Sequence, residues 1–274
     1  MTTFTGPFPT GGAILPAESM LRAIIRLAAN SPAHAVQRLR AQTTLASRWC
    51  GEGRYREAGL LLRLTLPGAE RACGPHSAAV GRICNEWGMC ARYLGQFDLA
   101  RQLYSRALTI FERLAGPQHE AVATVCHNLG GLAHAQADYV EGEMWGRRAC
   151  EIRSAVLGAG HPDVAGDRVA WAALLLACGR TEDAERQLLR ALAVLDPAEG
   201  ADRREVAVAL NNLAAVDVRR GDHDAAAARY REALGLLDVT VGPGHPERVL
   251  VESNLHSALR AAGRSTRPAA PPSY

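Results

Sequence analysis

The sequence predicts an all-α protein built from repeated pairs of antiparallel helices, and three observations support this prediction. Equivalent leucine or tryptophan residues recur at a constant spacing of 42 along most of the chain. A glycine follows each of them at a fixed distance, with one exception. Between these glycines, apolar residues recur with the 3.6-residue period of an amphipathic helix. About five and a half copies of the unit fit between residues 34 and 264.

Three columns of equivalent residues define the register of the repeat. The anchor column consists of Leu45, Trp87, Leu129, Trp171, Leu213 and Leu255. The turn column, eight residues later, consists of Gly53, Gly95, Ala137, Gly179, Gly221 and Gly263. The small-residue column consists of Ala58, Ala100, Gly142, Ala184 and Ala226. Because glycine favours a left-handed turn and small side chains let helices approach closely, each unit is predicted to be helix A, a tight turn and helix B.

A second turn is expected before helix A of each unit, where a glycine is followed three residues later by a histidine. These histidines are His119, His161 and His245. In the first copy His76 stands one residue out of register, and the segment 199–203 before the fifth unit lacks the histidine. Because the histidines recur with the repeat, we interpret them as structural turn residues.

The pattern resembles the tetratricopeptide repeat in its 42-residue form, and it is most similar to the repeats of kinesin light chain. The resemblance rests on L-G-x-x-H-P-x-V-A at residues 157–165, on N-N-L-A at residues 211–214, and on the spacing of turn glycine and small residue. It implies a right-handed superhelical solenoid over residues 34–264, with helix A of every unit lining a concave groove. It also implies a protein that binds other proteins or peptides.

The two ends of the chain depart from the repeat. Residues 1–17 are rich in Gly, Pro and Thr and are predicted to be irregular, whereas residues 18–33 are predicted to form an N-terminal capping helix. Residues 265–274 are predicted to be a disordered tail. We also hypothesise that apolar residues near the N-terminus cover the groove when no partner is bound; these are Phe4, Phe8, Ile14 and Leu15.

The composition excludes several classes of function. All 31 basic residues are arginine, which excludes a catalytic lysine, a Schiff base and a phosphate-loop lysine. The net charge of +3 is too small to indicate a nucleic-acid partner. Seven cysteines without a C-x-x-C pair indicate reduced thiols and a cytoplasmic protein. Neither a secretory signal nor a membrane-spanning run is recognisable, so no membrane partner is expected.

The candidate binding residues lie on one face of each helix A, opposite the residues that pack between the helices. Residues three and four apart share one face of a helix, and this rule selects 36 positions. Five arginines and one glutamate give these positions a charge of +4, and repeat four contributes only apolar residues. The predicted groove residues are Arg40, Arg82, Asn85, Arg92, Tyr93, His127, Asn128, His134, Val169, Leu176, Asn211, Asn212, Arg219, Asn254 and Arg260.

These residue types favour an extended protein or peptide ligand with an apolar anchor and acidic neighbours. Arginine can bind a carboxylate through two parallel hydrogen bonds, and an asparagine amide can pair with a peptide backbone. Kinesin light chain is similar in this respect, because its groove binds short acidic, tryptophan-containing segments partly through the asparagines of N-N-L-A. The positions that match this motif are Asn128, Asn211, Asn212 and Asn254, and those that depart from it are Thr44, Glu86 and Ala170. We therefore do not extend the cargo preference of kinesin light chain to this protein.

The alternative hypothesis is an enzyme, or a small-molecule site, in the same groove. It is centred on His127 and His134, with Tyr93, Glu86 and Arg92 completing a polar pocket. Two helical turns separate these histidines by roughly 10 Å, whereas zinc ligands on one helix normally stand three or four residues apart. We therefore predict no metal site, no cofactor and no catalytic residue, and the sequence leaves the oligomeric state open.

Overall fold

The computed structural model describes residue 22 and residues 34–195, 203–241 and 245–265. Regular structure in these ranges is helical, with no strand, so the all-α prediction is confirmed. The helices are α1 (Ala35–Gly51), α2 (Tyr55–Cys73), α3 (Ala78–Tyr93), α4 (Phe97–Ala115), α5 (Glu120–Ala135), α6 (Tyr139–Leu157), α7 (Pro162–Ala177), α8 (Thr181–Leu192), α9 (Arg203–Arg220), α10 (His223–Asp238) and α11 (Pro246–Ser265).

The two ends lie almost entirely outside the described residues. This applies to the predicted irregular segment 1–17, to residues 266–274 of the predicted tail, and to the predicted capping helix 18–33 apart from Arg22, which is helical. At the other end, α11 continues to Ser265, which the sequence assigns to the tail. Gly263 therefore lies inside a helix, and its predicted role as a turn residue is wrong.

In repeats one, two, four and five, helix A and helix B pack against each other as predicted. The contacts include α1 with α2, α3 with α4, α7 with α8, and α9 with α10. The chain divides between Val156 and Leu157 into two compact units, each with its own apolar core. In the N-terminal unit the largest fully buried side chain is Tyr104, and in the C-terminal unit Leu188 and Leu213 are at the centre. Within the part of the chain that the structure describes, no helix is long and apolar enough to cross a membrane.

The turn between helix A and helix B has the left-handed backbone that the glycine column predicts. The φ angles are +75° at Gly53, +73° at Gly95, +78° at Gly179 and +80° at Gly221. Ala137, the exception in the sequence, adopts the same conformation with φ of +60°. A Cβ atom makes this conformation unfavourable, so the third repeat carries local backbone strain at Ala137.

Ala137→Gly is expected to stabilise the protein by up to about 1 kcal/mol. The left-handed conformation costs an L-residue roughly 1–2 kcal/mol, and glycine avoids this cost. The larger entropy of glycine in the unfolded state reduces the resulting stabilisation by about 0.5–1 kcal/mol. Urea denaturation measures the change. The matched control is Gly95→Ala at the equivalent turn, which we expect to lose about the same amount. A destabilised Ala137→Gly variant would contradict this account of the turn.

The recurring histidines are structural, as predicted, because they cap the N-terminus of helix A. The Nδ1 atom of each accepts a hydrogen bond from the backbone N–H two residues later, at 3.1 Å for His119, 3.2 Å for His161 and 3.4 Å for His245. This bond satisfies a donor that the first turn of a helix otherwise leaves without a partner. These bonds require that Nδ1 carry no proton, which assigns the histidines to helix capping and leaves that nitrogen unavailable for catalysis.

The first repeat uses a different cap, which corrects the interpretation of His76. Gly74 has the same left-handed backbone as Gly116 and stands 42 residues before it, so this segment is in register. The residue at the capping position is Ser77, whose hydroxyl oxygen accepts a hydrogen bond from the backbone N–H of Val80 at 3.4 Å. The capping role therefore belongs to the position, and both serine and histidine fulfil it.

Candidate functional site

The fifteen predicted groove residues differ widely in exposure. The exposed ones are Arg40, Arg82, Tyr93, Arg219 and Arg260, and the half-buried ones are His134 and Asn254. The buried ones are Asn85, Arg92, His127, Asn128, Val169, Leu176, Asn211 and Asn212. Burial of a polar side chain is costly unless hydrogen bonds or charges compensate for it, so the partners of the buried group indicate what the site can bind.

The apolar residues of repeat four do not form the exposed patch that the sequence predicts. Val169 is 2% exposed and Leu176 is 4% exposed, and both belong to the apolar core of the C-terminal unit. Their neighbours Ala170 and Ala173 are also buried. Because all four are covered, repeat four contributes packing here and offers no bare floor. The N-terminal apolar residues that were expected to cover this floor lie outside the described residues.

The most distinctive polar arrangement lies in the N-terminal unit, around Arg92 at the end of α3. Its guanidinium is 4.3 Å from the centre of the Tyr93 ring, within the range of a cation–π interaction. Tyr93 in turn stacks on Tyr55 of α2, with ring centres 4.2 Å apart and an angle of 8° between the planes. Repeats one and two together therefore build a stack of two aromatic rings that packs against a buried cation.

Arg92 is only 8% exposed, yet its charge has no acidic partner in the described part of the chain. Its Nε atom is buried without a hydrogen bond. The hydroxyl of Tyr104 lies beside the guanidinium and is itself buried, without a well-formed hydrogen bond. We call this group, Arg92 with Tyr93, Tyr55, Tyr104 and His134, the Arg92 site. Arginine keeps its charge at any physiological pH, so this site is positive.

His134 of α5 adds the third repeat to the Arg92 site. Burial, and then the positive charge of Arg92, lower the pKa of the His134 imidazole, which favours its neutral form near neutral pH. The imidazole also contacts the ring of Tyr139 edge-on, with centres 5.5 Å apart. The fixed positive charge of the site is therefore that of Arg92, while His134 can donate or accept a hydrogen bond.

Glu86 of α3 does not neutralise the Arg92 site. Burial raises the pKa of its carboxyl group, and a hydrogen bond from the Ser47 hydroxyl offsets only part of that effect. The Oε2 atom is buried without a hydrogen-bond partner. A raised pKa favours the neutral acid, so Glu86 cancels less charge than a solvated carboxylate would.

The predicted asparagines form amide pairs between repeats. In the N-terminal unit the Nδ2 atom of Asn128 donates to Oδ1 of Asn85 at 2.9 Å. In the C-terminal unit Asn254 donates to Asn211 in the same way at 3.0 Å. Both pairs join residues 43 apart, which is one repeat plus one residue. Each pair uses part of the hydrogen-bonding capacity of its amides and leaves the remaining N–H and oxygen groups for a ligand.

Comparison with known protein families decides the family of the chain. A family model described as tetratricopeptide repeat matches residues 79–155 and 168–238, more than half of the sequence. The chain belongs to the tetratricopeptide repeat family. Repeats of this family generally serve protein–protein interaction. A search of curated proteins finds no match.

Two solved structures show the same fold as this tetratricopeptide repeat protein. BtubC (BKLC) from P. vanneervenii is 22% identical with a TM-score of 0.66, and the match covers 94% of this chain and 93% of that one. A Podosopora anserina protein described as a kinesin light chain with nearly identical TPR-like repeats is 19% identical with a TM-score of 0.61, covering 76% and 97%. The resemblance to kinesin-light-chain-like repeats is therefore confirmed for the fold.

The two histidines of the alternative enzyme hypothesis occupy different environments in this tetratricopeptide repeat protein. His127 is 5% exposed, whereas His134 is half-buried and belongs to the Arg92 site. Among the described residues, no group of three or more His, Cys, Asp or Glu side chains is placed to hold a metal ion. Of the five polar residues that this hypothesis requires, His134, Arg92 and Tyr93 lie together in the Arg92 site.

Sequence analysis missed two members of this tetratricopeptide repeat site: Tyr55 and Tyr104. Tyr55 follows the turn glycine of repeat one by two residues, and Tyr93 precedes that of repeat two by two residues. This symmetry about successive turns could have indicated that the two rings meet. Tyr104 is on helix B of repeat two, where the sequence assigns only packing, so no local pattern connects it with Arg92.

Proposed function

We propose that this protein is an interaction module that binds an extended, acidic segment of a partner protein, with the Arg92 site as the main anchor. The observation that carries the proposal is a buried guanidinium with an unsatisfied Nε atom and no acidic partner among the described residues. A buried charge without a counter-ion is costly, and an incoming carboxylate supplies both the charge and the hydrogen bonds.

The aromatic pair favours an apolar or aromatic ligand side chain next to the carboxylate. Tyr93 is 40% exposed, and because its two ring faces lie against Tyr55 and the Arg92 guanidinium, it offers the edge of its ring to the ligand. Tyrosine supplies a large contact area at low conformational cost, which makes it effective in binding sites. A ligand residue with an apolar or aromatic side chain next to the acidic residue would contact both parts.

The amide pair indicates how the ligand backbone runs. Asn85 stands seven residues before Arg92, so the two are separated by two helical turns, roughly 10 Å, on the same face of α3. An extended peptide covers that distance in about three residues. We therefore expect the ligand backbone to bind the free amide atoms of Asn85 and Asn128 about three residues from the carboxylate that binds Arg92.

Exposed arginines on the same predicted face add long-range attraction. Arg82 is exposed at the start of α3, and Arg40 is exposed on α1 of the neighbouring repeat. Such charges raise the association rate with an acidic segment and make it depend on salt. We also infer a cytoplasmic location, which the seven free cysteines support because reducing compartments preserve thiols.

The experiment is selection from a displayed library of extended peptides against the full chain, followed by affinity measurements on the best peptide. We expect enrichment of peptides with an acidic residue next to an apolar or aromatic one. Arg92→Gln should weaken the selected peptide at least about tenfold, because it removes a desolvated charge pair. The matched control is Arg63→Gln, which removes the same charge from an exposed position on helix B.

Two results would contradict the proposal. Enrichment of peptides without acidic residues, or no enrichment at all, would exclude an acidic segment as the ligand. Equal loss of affinity in Arg92→Gln and Arg63→Gln would show that only the net charge of the chain matters and that the Arg92 site is not the anchor.

A further inference from the structure

Two thiols lie against each other where helix A of repeat one meets helix A of repeat two. The Sγ atoms of Cys50 and Cys90 are 3.1 Å apart. Both residues are fully buried, Cys50 in the last turn of α1 and Cys90 in the last turn of α3. They are 40 residues apart in the sequence, and neither the C-x-x-C criterion nor the 42-residue register pairs them.

We propose that Cys50 and Cys90 are a modification site, at which a peroxide converts the two thiols into a disulfide that ties α1 to α3. A disulfide bond is about 2.05 Å long, so the two sulfur atoms need to approach by roughly 1 Å. Space beside Cys90 comes from Gly59 of α2, where an added Cβ atom would lie 3.4 Å from the Cβ of Cys90. A movement of that size would bring the two sulfur atoms to bonding distance.

The chemical step is a two-electron oxidation with hydrogen peroxide as the oxidant. One thiolate attacks the peroxide O–O bond, which gives a sulfenic acid and, after protonation, water. The second thiol attacks the sulfenic sulfur, the S–S bond forms and a second water molecule leaves. In total, two thiols and one peroxide give one disulfide and two waters. Cys50 and Cys90 each lose one electron, and the peroxide oxygens gain two.

The surroundings make this pair slower to react than an exposed thiol. The hydrogen bond with Cys90, and then burial, raise the pKa of the Cys50 thiol, so it stays protonated near neutral pH. Since the thiolate is the nucleophile, oxidation requires the end of α1 to open briefly. Glu52 and Gly53 directly follow that helix end, where the backbone leaves the helix. Reaction is therefore expected at high or sustained peroxide.

The disulfide would lie directly beside the Arg92 site. Burial, then Tyr93 and then Cys50 raise the pKa of the Tyr55 hydroxyl, so Cys50 lies near Tyr55. Cys90 precedes Arg92 by two residues. A covalent link here would hold Tyr55 and Tyr93, which come from different repeats, in a fixed relation. The cross-link itself does not depend on the proposed function, because it follows from the position of the two sulfur atoms.

The test is peroxide treatment of the full chain, then labelling of remaining thiols with N-ethylmaleimide under denaturing conditions and peptide mapping by mass spectrometry. We expect a linked peptide pair containing Cys50 and Cys90, two hydrogen masses lighter than the reduced pair. Cys90→Ala should abolish the link. Cys84→Ala, which removes another fully buried thiol of α3, is the matched control and should keep it.

A second measurement is the thermal unfolding midpoint before and after oxidation. Closing a loop of about 40 residues restricts the unfolded chain, so oxidation should raise the midpoint by about 5 °C or more, and dithiothreitol should reverse the shift. Cys90→Ala should show no such shift. Complete maleimide labelling of Cys50 and Cys90 while the exposed Cys73 is oxidised would overturn the proposal, as would a link from either residue to another cysteine.

Discussion

Gly88→Val is expected to destabilise the protein by about 2–3 kcal/mol. A Cβ atom at Gly88 would lie 2.8 Å from two carbons of the Tyr104 ring, closer than carbon atoms can approach. The ring cannot move aside freely, because Tyr104 is fully buried in the core of the N-terminal unit. Added volume in a closely packed core displaces side chains or backbone, at a typical cost of 1–3 kcal/mol. Denaturant unfolding of the two proteins measures the difference.

The matched control is Gly235→Val in α10. Gly235 is also a helical glycine, but its added Cβ would have no atom within 4 Å. Valine and glycine differ little in helix propensity, so the unfolding free energy should change by no more than about 0.5 kcal/mol. If Gly88→Val were as stable as this control, Tyr104 would not fill the space beside α3. In that case its position next to Arg92 would also be in question.

The helix pairs could be predicted from the sequence because their determinants are local and repeated. The left-handed conformation at a turn glycine depends only on the backbone of that residue. The structure shows this conformation at Gly53, Gly95, Gly179 and Gly221. The small-residue column is equally local in effect, since Ala58 and Ala184 are fully buried. Repetition of the pattern along the chain also makes a single exception such as Ala137 easy to recognise. Gly263 was mispredicted because glycine permits a left-handed turn but does not require one, and α11 continues through it to Ser265.

Exposure on helix A could not be predicted, because it depends on neighbouring helices. Val169 and Arg92 were both predicted to lie on the exposed groove face of helix A, but both are buried. Val169 is buried among apolar residues, and Arg92 is buried among tyrosines. Helical periodicity assigns a face but not what covers it. The pairing of Asn85 with Asn128 could have been found, since a spacing of one repeat plus one residue places neighbouring faces together. Tyr104 could not, because it lies on helix B.

The helix-capping positions could also be predicted only in part from residue type. Recurrence with the repeat was sufficient to identify His119 and His161 as structural. It was not sufficient to identify the capping position in the first repeat, where Ser77 replaces histidine. A helix N-terminus needs an acceptor for a backbone N–H, and several residue types meet that need. Residue identity alone therefore misplaced the register by one residue at His76.

Arg92→Met is expected to stabilise the protein and, if the proposed function holds, to remove the affinity for acidic segments. In the free protein the Arg92 charge is buried without an acidic partner, so methionine, which is similar in length and apolar, avoids the cost of desolvating it. Replacing buried ionic groups by apolar residues is often stabilising by 1–4 kcal/mol, and the loss of the Tyr93 contact offsets part of that gain. We expect a net gain of about 1–2 kcal/mol in unfolding free energy.

The same variant separates a binding role of Arg92 from a structural one. A residue kept for stability should weaken the fold when it is replaced, whereas a residue kept for binding can cost stability in the free protein. Arg63→Met on helix B is the control, and its exposed charge should leave both unfolding and binding unchanged. Denaturant unfolding together with affinity for the selected acidic peptide gives both readouts. A destabilised Arg92→Met that still binds the peptide would show that Arg92 serves packing, because its charge would then be dispensable for recognition.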